Sequence, residues 1–340
     1  MQQQGCIWQK MIVIRIEEQK SSIMKTENNN NSNKTNRILV VASILLLIIA
    51  MLAIGVRVSA QERVEMLSDF ESWTESQIKE SRLIGGQTKI LYKVGGSWGS
   101  SNAHAKAMGV DKVSVSVSPE KRGEGYCCRM ESTLETVSAI GINFKAFATG
   151  SIYTGKMLDV VGMAQSKDPS SAIDMGVPFT GKPSALVLDY KALIQDQPAI
   201  FANAGTHVKT VEGRDKGHIT LILQHRWEEN GHVYAYRVGA AEKSIDSSTG
   251  EWLNDYRVPV QYCQTEQTNA LTTNRFKTHN SNGEMVNIEE VAWRGDMQPT
   301  HIIIQISAGS MPPFTGCPGN IVWCDNIRLA YDTNALAQAK

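Results

Sequence analysis

Residues 112–118 alternate strictly between polar and apolar side chains, and this period of two constrains the fold class most. Val113, Val115 and Val117 fall on one face, which is typical of a strand with one buried side. Comparable strand candidates recur at 88–94, 125–134, 142–153, 185–191, 218–227, 232–240, 256–262, 301–306 and 321–331. Because helical periodicity is scarce after residue 82, the sequence predicts a mostly-β protein, a jelly-roll-like antiparallel β-sandwich.

Local sequence signals also predict one helix and one β-hairpin. Leu67, Phe70, Trp73 and Ile78 fall near one helical face, so a short N-terminal helix is predicted over residues 67–82. Asn230-Gly231 separates two strand candidates, and this dipeptide is the strongest short-range signal for a β-hairpin.

An apolar segment near the start of the chain predicts export. Residues 38–56 carry no charge, Lys34 and Arg37 precede them, and Val58-Ser59-Ala60 offers small residues at a cleavage site. This is the pattern of a signal peptide over residues 38–60, cut after Ala60. The alternative is an uncleaved membrane anchor, because the run is just long enough to span a bilayer.

The segments on either side of the signal differ in character. Residues 1–37 form a polar extension with four consecutive asparagines at 28–31, and Met24 would be a more ordinary start. Residues 61–340 show neither an internal repeat nor a linker rich in Pro or Ser, so a single domain is predicted there. The expected location is the periplasm or the cell surface of a Gram-negative bacterium.

Net charge and cysteine spacing limit the classes of partner and cofactor that this chain is expected to bind. The formal net charge is zero, which gives no electrostatic case for nucleic acid, and membrane contact is expected only through an uncleaved N-terminal segment. No CxxC or Cys/His metal spacing occurs, so neither a metal nor a cofactor is predicted. Five of the six cysteines follow Ala60. A Cys317–Cys324 bridge and free buried thiols both remain open.

Two motif matches are rejected on context. Residues 95–99 match GxSxG, but an alternating β pattern follows instead of the helix that a nucleophile elbow requires. Residues 150–156 match GxxxxGK, but Met157 stands where a phosphate loop needs Ser or Thr.

Aromatic side chains are the candidates for sugar binding, because an aromatic ring packs against the apolar C–H face of a pyranose. Trp98 is expected at the surface, since Gly and Ser flank it. Tyr234 and Tyr236 share one strand face by the period of two. The predicted ligand-binding set is Trp98, Asn102, Tyr153, Trp227 and Tyr236.

Several segments together resemble a known family. They are WGSSN at 98–102, GSIYTG at 150–155, PFTGKP at 178–183, and a C-terminal run over 299–329 that ends in VWCDNIRL. In this order they are similar to the motifs of the putative carbohydrate metabolism domain (PCMD) family of exported Bacteroidetes proteins. The departures are SAGS at 307–310 for a triple serine, and Cys324 where valine is usual.

The resemblance implies a jelly-roll β-sandwich and an envelope location, and it supplies no catalytic pair. We therefore expect an exported, non-catalytic carbohydrate-binding protein that holds a glycan on a sandwich face or loop cluster. One alternative is a xylanase-like glycoside hydrolase on the same fold, for which Glu228-Glu229 and Glu289-Glu290 offer carboxylates. The other alternative is a structural or adhesive envelope protein.

Overall fold

The computed structural model describes residues 62–107, 109–139, 141–162, 164–165, 168–265 and 276–332. The predicted N-terminal extension and signal peptide lie outside these described residues. Residues Val64–Tyr331 form one compact unit. In the described part of the chain, no helix is both long and apolar enough to cross a membrane.

Strands dominate the described residues, and short 3-10 turns at Arg82–Ile84 and Pro169–Ala172 accompany them. The first twelve strands are β1 Arg63–Ser68, β2 Trp73–Lys79, β3 Thr88–Val94, β4 Trp98–Ser100, β5 Ala103–Ala107, β6 Val110–Ser114, β7 Val117–Arg122, β8 Gly125–Glu131, β9 Thr133–Ala139, β10 Ile142–Ala148, β11 Ser151–Met157 and β12 Ile173–Met175. The other twelve are β13 Val177–Pro178, β14 Ala185–Leu193, β15 Ile200–Phe201, β16 Lys209–Thr210, β17 Gly217–Glu229, β18 His232–Ile245, β19 Leu253–Pro259, β20 Lys277–His279, β21 Met285–Trp293, β22 His301–Ser307, β23 Thr315–Gly316 and β24 Ile321–Tyr331. This confirms the mostly-β prediction.

Two large sheets organise these strands. The smaller runs β19-β14-β24-β8-β7, with β1 also pairing with β24. The larger runs β12-β11-β22-β17-β18-β21-β20, with β13 on β22 and β4 on β11. Along these two strand orders, and for β13 on β22 and β4 on β11, the pairings are antiparallel, apart from the parallel pair β18–β21. Shorter ladders, including β2–β3, β5–β6 and β9–β10, flank them.

A single apolar cluster receives side chains from one face of each large sheet. The smaller sheet contributes Met130, Leu186, Leu188, Val322 and Leu329, and the larger contributes Ile152, Ile219, Leu221, Leu223, Ile302, Ile304 and Ile306. Each fully buried side chain of this kind stabilises the fold by about 1.5–3 kcal/mol. The opposite face of the larger sheet carries a second cluster that includes Ile222, Ile288 and Ile303. The larger sheet is therefore buried on both faces over part of its area.

The predicted N-terminal helix is wrong. Residues 73–79 form β2, which pairs with β3 from Trp73–Val94 to Lys79–Thr88. Phe70 adopts a left-handed φ of 53°, and its N–H is accepted by the Ser68 hydroxyl, so a turn separates β1 from β2. The spacing of three between apolar residues arises because a strand, a turn and a strand each direct a side chain into the same core.

The Asn230-Gly231 hairpin is confirmed, and it joins the two longest strands of the larger sheet, β17 and β18. Asn230 has a φ of 52° and Gly231 a φ of 79°. Positive φ at both central positions is the signature of a type I′ turn, which matches the twist of the flanking strands. This turn sets the register of the hairpin from Glu229–His232 as far as Gln224–Arg237.

Both rejected motifs fall within β structure. The GxSxG match leads from β3 directly into β4, and the GxxxxGK match lies on β11. In both places the described backbone lacks the strand-to-helix turn that either chemistry requires.

Candidate functional site

Trp98 lies in the core between the sheets, so the expectation that it is exposed is wrong. Its side chain is 8% exposed and packs against Phe70 with ring centroids 6.2 Å apart. Trp98 begins β4, which pairs with β11, and this pairing turns the indole inward. The glycine beside it serves close packing, because a Cβ on Gly99 would lie 2.4 Å from the Tyr153 ring.

Asn102 is also buried, and its side-chain amide hydrogen-bonds to backbone groups. The Nδ2 atom donates to the carbonyls of Tyr92 at 2.9 Å and Val117 at 2.7 Å. The Oδ1 atom accepts from the N–H groups of Ser116 and Val117, both at 2.9 Å. Three of these bonds hold the bend between β6 and β7, where the alternating segment 112–118 divides at residues 115–116, and the fourth ties Asn102 to β3.

Tyr153 is 1% exposed, and its hydroxyl donates to the Ser100 carbonyl at 3.1 Å. Burial raises the pKa of Tyr153 well above its usual range. Trp98, Asn102 and Tyr153 therefore form part of the interior, and we leave them out of the candidate site.

Trp227 and Tyr236 contact each other, and neither residue spacing nor a motif predicted this contact. Together with Tyr234 they form what we term the aromatic row. The Trp227 ring stacks on Tyr234 at 5.6 Å between centroids with a 26° tilt, and it contacts Tyr236 at 4.7 Å. All three rings are partly exposed. The row thus offers one continuous apolar surface that remains open to solvent.

Strand register explains how these rings meet. Trp227 on β17 lies directly opposite Tyr234 on β18, and His225 lies opposite Tyr236. The pairing shifts between Leu223 and Gln224, where their partners are Gly239 and Arg237, so Val238 is an extra residue in β18. This β-bulge lets even-numbered tyrosines share a face with the odd-numbered residues that follow it.

The aromatic row continues the inner face of the larger sheet. Leu221 and Leu223 on β17 belong to the shared core, and Trp227 lies four residues further along the same face. Along β17, Leu223 is buried, Trp227 is partly exposed and Glu229 is exposed. The row therefore lies where this face leaves the core.

Polar groups border the row at both ends. At the hairpin end, His232 lies opposite Glu229, and its Nδ1 is 3.5 Å from a Glu289 carboxylate oxygen. At the other end, the Arg294 guanidinium lies 5.6 Å from the centre of the Tyr236 ring. Carboxylates and a guanidinium beside exposed rings supply the planar acceptors and donors that sugar hydroxyls require.

The structure separates the two Glu-Glu pairs. Glu229 and Glu289 lie on the face of the row, because each pairs with a residue of that face, whereas Glu228 and Glu290 point the other way. Glu290 binds Arg237 at 2.5 Å and accepts from Gln224 at 2.7 Å. One carboxylate of each pair thus points away from the row, and the other borders it.

The network around Glu290 extends to a partly buried arginine. Arg226 donates from Nε to Gln224 at 2.8 Å and from Nη2 to the Met175 carbonyl at 2.9 Å. Burial lowers the pKa of Arg226 to about 10. The network holds β17 against its neighbours on the face that lies behind the row.

A second polar cluster lies on the smaller sheet. Asp189 and Asp325 are Cα partners across β14 and β24, and Arg122 Nη1 binds both, at 2.9 and 2.6 Å. Arg122 also lies 3.9 Å from the centre of the Trp252 ring. Among the described residues, no group of three or more His, Cys, Asp or Glu side chains is arranged to hold a metal ion. Because an arginine binds both carboxylates, this cluster stabilises the sheet.

Residues 69–330 match the family described as "Putative carbohydrate metabolism domain", and they include both the aromatic row and the Asp189–Asp325 cluster. The chain belongs to this family. The match spans nearly all of the described part of this PCMD protein.

Two solved structures are similar to this PCMD protein at low identity. One is a putative glycoside hydrolase from Bacteroides thetaiotaomicron, 18% identical, with a TM-score of 0.47, covering 78% of this chain and 71% of that one. The other is a putative glycoside hydrolase from Bacteroides vulgatus, 17% identical, with a TM-score of 0.44, covering 78% and 97%. No curated protein matches this chain significantly.

Proposed function

We propose that this PCMD protein is an exported, non-catalytic glycan-binding protein, and that the aromatic row holds the sugar. The observation that supports this most is that Trp227, Tyr234 and Tyr236 adjoin one another and remain open to solvent. The apolar face of a pyranose would pack on the rings, while Glu229, Glu289 and His232 bind its hydroxyls. Export rests on the signal peptide predicted over residues 38–60.

The test is a glycan-array screen, followed by titration of any glycan that binds against Trp227→Ala. Trp323→Ala is the matched control, because Trp323 is also partly exposed but lies on the smaller sheet, where its Nε1 donates to Glu120. We expect at least about a tenfold rise in Kd for Trp227→Ala, which corresponds to about 1.4 kcal/mol. Unchanged binding by Trp227→Ala, or an equal loss in the control, would refute the role of the row. If no glycan binds, the structural or adhesive alternative gains support.

A glycoside hydrolase is the second candidate, because two carboxylates flank the row. Glu229 is on β17 and Glu289 on β21, with β18 between them. Two strand spacings place their backbones about 10 Å apart or more. Inverting glycosidases hold their carboxyl groups roughly 6.5–9.5 Å apart, a distance that these side chains can reach by leaning together.

Incubation of a bound glycan separates the two candidates. New reducing ends that vanish in both Glu229→Gln and Glu289→Gln, but persist in Glu228→Gln, would establish the hydrolase. Binding without new reducing ends would support the non-catalytic proposal.

A further inference from the structure

Two buried cysteines face each other across the smaller sheet. Cys128 on β8 and Cys324 on β24 are Cα partners in an antiparallel pair. Both are fully buried, and both belong to the apolar cluster between the sheets, so their side chains lie on the same face. Opposed residues in such a pair have Cα atoms about 4.5–5.5 Å apart. A disulfide spans Cα separations of about 4.4–6.8 Å.

The two thiols interact directly. Burial, a hydrogen bond with the Cys128 thiol and the proximity of that thiol raise the pKa of Cys324 well above its usual range. Both cysteines are free thiols. The side chains are thus already adjacent, and joining them requires no change of register.

We propose that Cys128 and Cys324 form a cross-strand disulfide when the chain folds in an oxidising compartment. The oxidant is a protein disulfide of the kind that oxidises exported proteins. One cysteine thiolate attacks it to give a mixed disulfide, and the second thiolate displaces the oxidant. Two S–H bonds are replaced by one S–S bond, and the two electrons and two protons leave with the oxidant as a dithiol.

The reaction must precede closure of the core. A fully buried thiol with a raised pKa supplies almost no thiolate, and only the thiolate reacts. We therefore expect the bond to form while β24, the last strand of the described residues, is joining the smaller sheet. Once folded, the reduced protein should oxidise slowly.

The neighbouring cysteines are placed differently. Cys127 follows the opposite face of β8, since successive side chains alternate, and its Cα partner is Glu120. Cys317 precedes β24, in the turn where the N–H of Asn320 bonds to the Cys317 carbonyl. The Cys317–Cys324 bridge that the sequence left open is therefore disfavoured, and the proposed link is specific to Cys128 and Cys324.

The test is to unfold and reduce the full chain, refold it in a mixture of reduced and oxidised glutathione, and map its peptides without reduction. We expect the peptide that contains Cys127 and Cys128 to be linked to the peptide that contains Cys324. Cys127→Ala should keep this link and Cys128→Ala should abolish it. Alanine is chosen because both sites are buried and a small apolar side chain preserves the packing.

Thermal unfolding gives an independent readout. The disulfide would close a loop of roughly 200 residues, so reduction should lower the Tm of the wild-type protein by on the order of 10 °C. Cys128→Ala should show no such response to reductant. Absence of the linked peptide from the refolded wild-type protein, or its persistence in Cys128→Ala, would overturn the proposal.

Discussion

Arg122 gives the sharpest stability prediction, because one guanidinium binds two buried carboxylates. Its Nη1 atom bonds Asp189 at 2.9 Å and Asp325 at 2.6 Å, and its Nη2 atom bonds Asn254 at 2.7 Å. The carboxylate side chains are only 8% and 10% exposed. Arg122→Met removes the charge and keeps most of the aliphatic stem.

The magnitude follows from what the variant leaves behind. Asp189 keeps a bond from the Asp255 N–H at 2.8 Å, one from Asn326 at 2.9 Å and a longer one from Arg328 at 3.3 Å. Asp325 loses its cation and keeps the N–H of Asn326. Breaking a buried pair costs about 3–5 kcal/mol, because one charge remains buried without a partner. We expect the free energy of unfolding to fall by about that amount.

Denaturant unfolding of the purified variant measures this loss. The matched control is Arg214→Met, because Arg214 binds Asp196 at 3.0 Å while both side chains are largely exposed, and exposed pairs contribute at most about 1 kcal/mol. A loss below about 1 kcal/mol in Arg122→Met would refute the argument. Replacing Asp325 with Asn in the Arg122→Met background should recover part of the loss, since it removes the unpaired charge.

The effect should also depend on pH. Burial raises the pKa of Asp325, against the hydrogen bonds from Arg122 and the Asn326 N–H. Without Arg122 this pKa should rise further. A carboxyl whose pKa is raised on folding binds more protons when folded, so it becomes less destabilising as the pH falls through that pKa. The difference between wild type and Arg122→Met should therefore be largest at neutral pH and should narrow in acid.

Three further predictions concern interior polar groups. Asn102→Ala leaves the Ser116 and Val117 N–H groups unpaired, so the free energy of unfolding measured in denaturant should fall by about 2–4 kcal/mol. Glycan binding should be retained. Burial lowers the pKa of His301 to about 4, so thermal stability should be lost as the pH falls from about 6.5 to 4, and His301→Gln should flatten that profile. Asp215 is 1% exposed, and within the described residues it accepts backbone N–H groups only, so Asp215→Asn, which presents a donor to them, should lower the free energy of unfolding by about 1–3 kcal/mol, measured by thermal or denaturant unfolding.

The features that the sequence predicted correctly are those that depend on local residue patterns. The strand candidate at 321–331 matches β24, and Asn230-Gly231 forms the hairpin turn, because alternation and turn chemistry depend on adjacent residues. The helix over 67–82 failed for the converse reason. A left-handed residue at Phe70 reverses the chain locally, and a spacing of three between apolar residues does not reveal such a turn.

The site was harder to predict, because long-range pairing determines it. The Gly and Ser around Trp98 indicated exposure, but Gly99 is needed so that the Tyr153 ring can pack against the backbone. Trp227 and Tyr236 were named, but their contact depends on strand register. Strict alternation back from Ala241 would have placed Ala235 opposite Trp227 and Arg237 opposite His225, because no sequence signal marks the extra residue.

The bulge at Val238 has a consequence for insertions and deletions. It divides β18 into two stretches. One sets which residues face the core, and the other sets which residues face the aromatic row. Loss of Val238 would leave Gly239 opposite Leu223 and Arg237 opposite Gln224, so the residues on either side would keep their faces, although one buried side chain of the shared core would be lost. An insertion or deletion elsewhere in β18 would exchange the two faces for every residue beyond it. A lineage of such proteins can therefore gain or lose one codon at this position at the cost of one core side chain, while the rest of the core and the row of rings keep their orientation.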